Sequence, residues 1–304
     1  MRRSVGQTLL ATTLFVSSAF AYAEPWLPTP IEPEDNPSSA AKVALGQALF
    51  SDTQLSGNGT YSCATCHKPD THFTDGLEVA IGATGELHSR HTPTLYNVAY
   101  HASFGWDDTA LTSLEDQHIV PLTNKAPVEM GFTDDLLPKI EGTYSTQFER
   151  AFPDESLSLN TVVKAIAAYV RTIRAPESAW DRYVYFDEQE ALSAEAKAGM
   201  ALFFSERLGC SHCHGSFNFS GPLKHSVEQA EPVFHHTGVA GSELSFRAPT
   251  LRAIQHTAPY MHAGQLDSLR DVLSHYEQTE AERVPDFKLT EQERIELISF
   301  LEAL

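Results

Sequence analysis

The chain has 304 residues, of which 42% are hydrophobic and four are cysteine, and it carries a formal net charge of −19 at pH 7. So large an acidic excess excludes nucleic acid and anionic membrane surfaces as partners, because both repel it. Beyond the N-terminus no apolar stretch is long enough to insert into a membrane, and the length suits one large domain or two ordinary ones.

Residues 1–23, MRRSVGQTLLATTLFVSSAFAYA, read as a secretory signal peptide. Arg2 and Arg3 form its basic start, Leu9 to Phe20 its apolar run, and Ala21-Tyr22-Ala23 its small-x-small cleavage site. Cleavage before Glu24 delivers the chain to the periplasm, where four cysteines could close two disulfides. Their pattern points elsewhere. Cys63-Ala-Thr-Cys66-His67 and Cys210-Ser-His-Cys213-His214 use every cysteine, and each matches the attachment sequence of a c-type haem. Two thiols on one side of a short helix add to the porphyrin, and the histidine that follows ligates iron. Two covalently bound c-type haems are therefore expected, on Cys63, Cys66 and His67 and on Cys210, Cys213 and His214.

Each pentapeptide sits inside a longer repeat. ALGQALFSD (44–52) precedes the first and KAGMALFFS (197–205) the second, both predicted to be helices ending in Leu-Phe. Downstream, TPTLYNVAYHASFGWDD (92–108) aligns with APTLRAIQHTAPYMHAG (248–264), which sets Trp106 against His262. SLEDQHIVP (113–121) then aligns with SLRDVLSHY (268–276), which sets Pro121 against Tyr276. Between the halves, Val163, Ile166, Ala167, Val170 and Ile173 have the spacing of a core-packing helix over 159–176. At the C-terminus Thr290 and Glu293 form a capping box, and Leu297, Phe300, Leu301 and Leu304 a packing stripe.

The expected fold is mostly α, with two cytochrome c-like haem domains related by internal pseudo-symmetry, residues 24–190 and 191–304. The repeat is chemically unequal. If a side chain near position 276 reaches the second iron, its counterpart at the first is Pro121, which has no donor. One haem would then be closed on both faces and the other open to peroxide, a division that suits an enzyme.

With these residues on the page, the chain resembles the bacterial di-haem cytochrome c peroxidases, and more closely their MauG-like branch. The marks are SCATCHKPDTHFTDG, HTPTLYN, WDD, PVEMGF, CSHCHGSFNFSG, FHHTGV, FRAPTLR and TAPYMHAG, in family order. The HSRHTPTLYNVAY region further resembles the MbnH-like subgroup associated with methanobactin operons. The resemblance implies that Tyr276 is the sixth ligand of the second haem, with Met261 and His275 as rivals. It implies that Glu129 and Gln117 stand over the open haem beside Pro121, with Glu129 managing protons during O–O cleavage. It makes Trp106 the bridge between the haems, and Arg247 and His262 cofactor-binding residues. The movable distal histidine of the peroxidases falls on Ala83, while His72, His88 and His91 remain nearby as alternatives. The family also binds one calcium between the domains. Thr257 and Pro259 would contribute here, but His91 replaces the usual Asn, and imidazole serves a hard cation poorly; Asn97 lies nearby without matching the motif.

The reading that follows is a periplasmic oxidase that uses hydrogen peroxide to oxidise a donor, a Tyr or Trp of a partner protein. The alternatives are a di-haem peroxidase fed by a small electron-donor protein, and a di-haem electron carrier with no chemistry of its own. No nucleic acid partner and no membrane insertion are expected.

Overall fold

A Cβ on Gly46 would lie 1.9 Å from the Ala165 carbonyl oxygen, and one on Gly199 would lie 1.9 Å from that of Glu296. These glycines mark the centres of two helix pairs around which the molecule is built. The computed structural model describes residues 27–225, 228–239, 244–279 and 284–304, so the signal-like segment 1–23 lies outside the described residues. Helix α1 (Ala40–Phe50) carries Gly46, and the short α2 (Cys63–Cys66) follows it. Then come α3 (Leu114–Thr123), α4 (Leu137–Ala151), α5 (Leu159–Val170) and α6 (Ala179–Tyr185). The second half contributes α7 (Ala194–Phe203), α8 (Leu269–Tyr276) and α9 (Glu291–Leu301). Among the described residues strand is confined to two short antiparallel ribbons, 224–225 with 228–229 and 234–235 with 246–247. The fold is mostly helical, as expected.

The helix starts follow from local chemistry. Ser39, Ser113, Ser193 and Ser268 each accept a backbone N–H of the first turn through the side-chain oxygen, satisfying a donor that the helix leaves free. Thr290 and Glu293 form the expected capping box. Helix α5 ends at Val170, earlier than its apolar spacing suggested, and it is buried nearly all round, with Val162, Ala165 and Ala168 enclosed as well as the predicted stripe. The reason is that α1 covers one side of it and α3 another.

The two halves repeat in detail. Helix α1 packs on α5 as α7 packs on α9, backbone to backbone at the two glycines. Phe50 meets Tyr169 edge-on at 5.3 Å and Phe73 at 6.5 Å; Phe203 meets Phe300 at 5.2 Å and Phe219 at 5.8 Å. Thr94 Oγ1 donates to the His72 carbonyl and Thr250 Oγ1 to that of Asn218, both at 2.7 Å. The two apolar cores divide between Ile173 and Trp180. Trp180 packs on Phe219 at 4.7 Å, so α6 belongs with the C-terminal core although it precedes the 190/191 boundary drawn from the repeat. Its Asp181 accepts both 2.8 Å bonds from Arg252 Nη1 in a fully buried ion pair, a long-range contact that repeat alignment does not register.

Candidate active site

Both pentapeptides are held the same way. Helix α2 starts at Ser62, whose N–H donates to Thr65 Oγ1 at 2.9 Å, and its single turn carries Cys63 and Cys66. His67 closes that turn, its N–H bonded to the Cys63 carbonyl at 2.9 Å. The His67 ring donates Nδ1–H to the Phe73 carbonyl at 3.0 Å, and His214 donates Nδ1–H to the Phe219 carbonyl, also at 3.0 Å. Phe73 and Phe219 both have positive φ, which turns each carbonyl back toward its histidine. A donor at Nδ1 leaves Nε2 as the free lone pair, the arrangement that orients an imidazole toward a metal. Burial lowers the pKa of His67 and takes that of His214 down to about 4, so both rings stay neutral as metal ligands must.

The second site is a cavity of about 190 Å³ with chiefly apolar walls. Cys210, Cys213 and His214 form one part of its lining, and Tyr276, Met261 and Trp106 also face it. Burial, and after it the nearness of Cys213 and Cys210, raises the Tyr276 phenol well above its ordinary value. Met261 thus shares the cavity with Tyr276, whereas His275 turns away. Its Nε2 bonds the Thr237 carbonyl at 2.9 Å and its Nδ1 faces Thr279 Oγ1 at 3.3 Å.

At the first site Gln117 and Pro121 stand one turn apart on α3, and the charge of His67 is felt at His118 of the same helix. Pro121 and Tyr276 each occupy the eighth position of their helix, behind equivalent serine caps. The Pro121 carbonyl accepts Met130 N–H at 3.0 Å, which ties the Glu129 segment to α3. Desolvation pushes the Glu129 carboxyl up to about 7, and its charge is felt at both Cys63 and Cys66. His88 Nδ1 lies 3.9 Å from Glu129 Oε1. Gln117 Oε1 and His88 Nε2 are buried without a protein partner. The other histidines considered for this site are engaged elsewhere: His72 stacks on His256 at 4.2 Å, and His91 Nδ1–H donates to the Leu77 carbonyl at 2.8 Å.

Trp106 lines both the second cavity and a smaller one between the halves. Its Nε1–H donates to the His91 carbonyl at 2.9 Å, and its carbonyl accepts Arg247 N–H at 3.0 Å. The Arg247 guanidinium lies 5.8 Å from the indole centroid, and its Nε–H donates to the Gly105 carbonyl. Gly105, at φ +72°, sits so close to Gln117 that an added Cβ would be 3.4 Å from Oε1. Arg247 is buried, burial lowers its pKa to about 10, and no carboxylate pairs with it among the described residues. His262 stacks on Phe246 at 3.7 Å along the same wall.

These residues fit two c-type haems: paired thiols and a pre-oriented histidine at each site, an apolar cavity at the second, and a buried guanidinium without a carboxylate partner that suits an acidic side group of the cofactor. They fit calcium poorly. Thr257, Pro259 and His91 do line one small cavity, but its described walls contain no carboxylate and include Arg247. Asn97 does not supply the missing oxygen, because its Oδ1 accepts Ala175 N–H at 3.2 Å.

Two residues near the site escaped the sequence reading. His101 is buried with Nδ1 3.3 Å from Arg247 Nη1. His118, beside Gln117 on α3, donates Nδ1–H to the Leu114 carbonyl at 2.5 Å, and burial takes its pKa down to about 4. Both fall within the repeated segments 92–108 and 113–121, but the repeat singles out neither, and only the packing of distant segments shows what they face.

The sequence profile described as di-haem cytochrome c peroxidase matches residues 40–189. Methylamine utilization protein MauG of Methylorubrum extorquens is 37% identical over 289 residues, covering 90% of this chain and 80% of that protein. Cytochrome c551 peroxidase of Pseudomonas aeruginosa is 32% identical over 255 residues, covering 78% and 72%. The crystal structure of a MauG-like protein associated with microbial copper homeostasis superposes with a TM-score of 0.86 at 33% identity, covering 94% of this chain and 95% of that one. A duplicated helical fold with two such sites defines a peroxide-dependent di-haem oxidoreductase. The chain belongs to the di-haem cytochrome c peroxidase family, and membership implies two c-type haems. No helix among the described residues is long and apolar enough to cross a membrane.

Proposed function

We propose that the protein is an exported, periplasmic oxidase that uses hydrogen peroxide to oxidise a Tyr or Trp side chain of a partner protein. The observation that carries this reading is the contrast at one helical position. Pro121 on α3 offers no donor beside Glu129 and Gln117, while Tyr276 on α8 offers a phenol in the cavity of Cys210, Cys213 and His214. In this reading residues 24–190 take up peroxide and residues 191–304 store oxidising equivalents. His67 and His214 would hold the two haems, which would supply the peroxide-reactive, redox-active centres.

The chain's own residues do the rest. Glu129, held near neutrality by desolvation, takes a proton from the inner peroxide oxygen and returns one to the leaving oxygen. Gln117 holds the bound peroxide through its buried amide. Trp106 carries charge between the halves. The Tyr276 pocket by itself favours the neutral phenol, so a ferric centre would have to compensate the buried charge for Tyr276 to serve it as an anion. Arg247 and His262, which share that cavity with Trp106, would help to hold the cofactor.

Electron paramagnetic resonance of the resting holoprotein tests the reading. One high-spin and one low-spin signal are expected, with Tyr276→His shifting only the low-spin signal and raising the potential of that centre. An unshifted low-spin signal would transfer the role to Met261. The similarity to the cytochrome c551 peroxidase supports a second reading, a peroxidase fed by a small cytochrome. Two low-spin signals at rest, with turnover of peroxide by reduced cytochrome, would favour it. A bare electron carrier is disfavoured, since it has no use for Glu129 and Gln117.

A further inference from the structure

A second aromatic path, which does not include Trp106, leaves the C-terminal site. It begins at the hydrogen bond from His214 Nδ1–H to the Phe219 carbonyl, 3.0 Å long. The Phe219 ring packs edge-on against Trp180 at 4.7 Å, and Trp180 packs edge-on against Tyr185 at 5.5 Å. Trp180 is buried, at 7% exposure, whereas Tyr185 is 39% exposed and lies between exposed Val184 and Phe186. The three rings therefore form an unbroken series from the proximal histidine to solvent.

The electrostatics give the series a direction. The Arg252 guanidinium lies 5.1 Å from the Trp180 centroid, and a cation over an indole disfavours a resident radical cation there. Asp181 offsets part of that field through its fully buried ion pair with Arg252, so Trp180 stays accessible as a transient stop. Tyr185, on the same helix as Asp181, can lose a proton on oxidation and so hold the hole as a neutral radical. An oxidising equivalent therefore tunnels past Phe219, whose ring is too hard to oxidise to hold it, stops briefly at Trp180 and settles on Tyr185.

We propose that Trp180 and Tyr185 form a discharge branch that carries oxidising equivalents from the second site to the protein surface when no protein donor is engaged. This inference rests on the peroxide-driven oxidation proposed above. Hydrogen peroxide is the oxidant, taking two electrons and two protons to give two waters. That leaves the protein two electrons short; Tyr185 returns one through Trp180 and releases its phenol proton to solvent, and the second is returned the same way once the phenoxyl radical has been repaired. The resulting phenoxyl radical is repaired by a small one-electron donor of the phenol or hydroquinone class, which needs only the exposed ring edge.

Freeze-quench electron paramagnetic resonance of the holoprotein, mixed with peroxide without donor, tests the branch. A tyrosyl signal is expected that narrows when the protein is grown on ring-deuterated tyrosine and disappears in Tyr185→Phe. Trp180→Phe should delay the same signal. The oxidised state, followed by its optical spectrum, should persist severalfold longer in both variants while peroxide is consumed in the first turnover at the parent rate. Added hydroquinone should erase the tyrosyl signal in the parent. A tyrosyl signal unchanged in Tyr185→Phe, or an oxidised state that decays alike in all three proteins, overturns the branch alone. A parent that forms no oxidised state with peroxide overturns the proposed function and the branch with it.

Discussion

Glu129 is the residue at which the local environment matters most. A carboxyl at the surface would be ionised throughout the neutral range, but desolvation pushes this one up to about 7. Taking the first peroxide proton requires the ionised form, so reaction with peroxide should accelerate as pH rises through about 7 and level off above it. Glu129→Gln keeps the shape and removes the titration. Stopped-flow mixing with peroxide should show a rate lower by about two to four orders of magnitude and no inflection near 7, with haem loading unchanged. Kinetics like those of the parent would reduce Glu129 to a packing residue.

At the scale of elements, the recurring unit is a helix pair in backbone contact at one glycine. The carbonyl of Ala165 fills the space beside Gly46, and that of Glu296 fills the space beside Gly199. A methyl at either position meets main chain, which cannot rotate away as a side chain can. Gly46→Ala and Gly199→Ala should each destabilise the holoprotein by about 1–3 kcal/mol, the range for overpacking a close-packed core. Thermal melts followed by circular dichroism would check this, and a melting point equal to the parent's would mean that the helices separate freely. Gly142 on the exposed face of α4 meets nothing within 4 Å, so Gly142→Ala serves as the control and should be neutral or slightly stabilising.

Across the whole molecule, the halves meet around Trp106 and Arg247. Trp106 bonds His91 on one side, and its carbonyl receives Arg247 from the other half. Trp106→Phe preserves an aromatic ring but raises the cost of oxidising it. Peroxide should still react at the first site, while oxidation of the partner side chain should fall sharply in single-turnover measurements. Unchanged donor oxidation would remove the bridge role. The same interface bears on calcium. Its small cavity offers a cation no described carboxylate and has Arg247 in its wall, so chelation with EGTA should leave the optical and magnetic spectra unchanged. A spectrum that changed with EGTA and recovered with calcium would contradict that.

The sequence by itself determined the covalent chemistry and the duplication, because both are written in short, rigid units. Cys63, Cys66, His67 and their counterparts lie within one turn, where spacing alone dictates which side chains share a face. The match of Pro121 with Tyr276 was equally legible, since both sit at the same distance from a serine cap. Only the tertiary structure decided what those side chains face. It turned His275 toward Thr237, brought His88 to Glu129, assigned α6 to the C-terminal core, and set Arg247 between the halves with no carboxylate partner among the described residues. Each of these depends on segments far apart in the chain, and burial and desolvation are properties of that assembly; no local spacing encodes them.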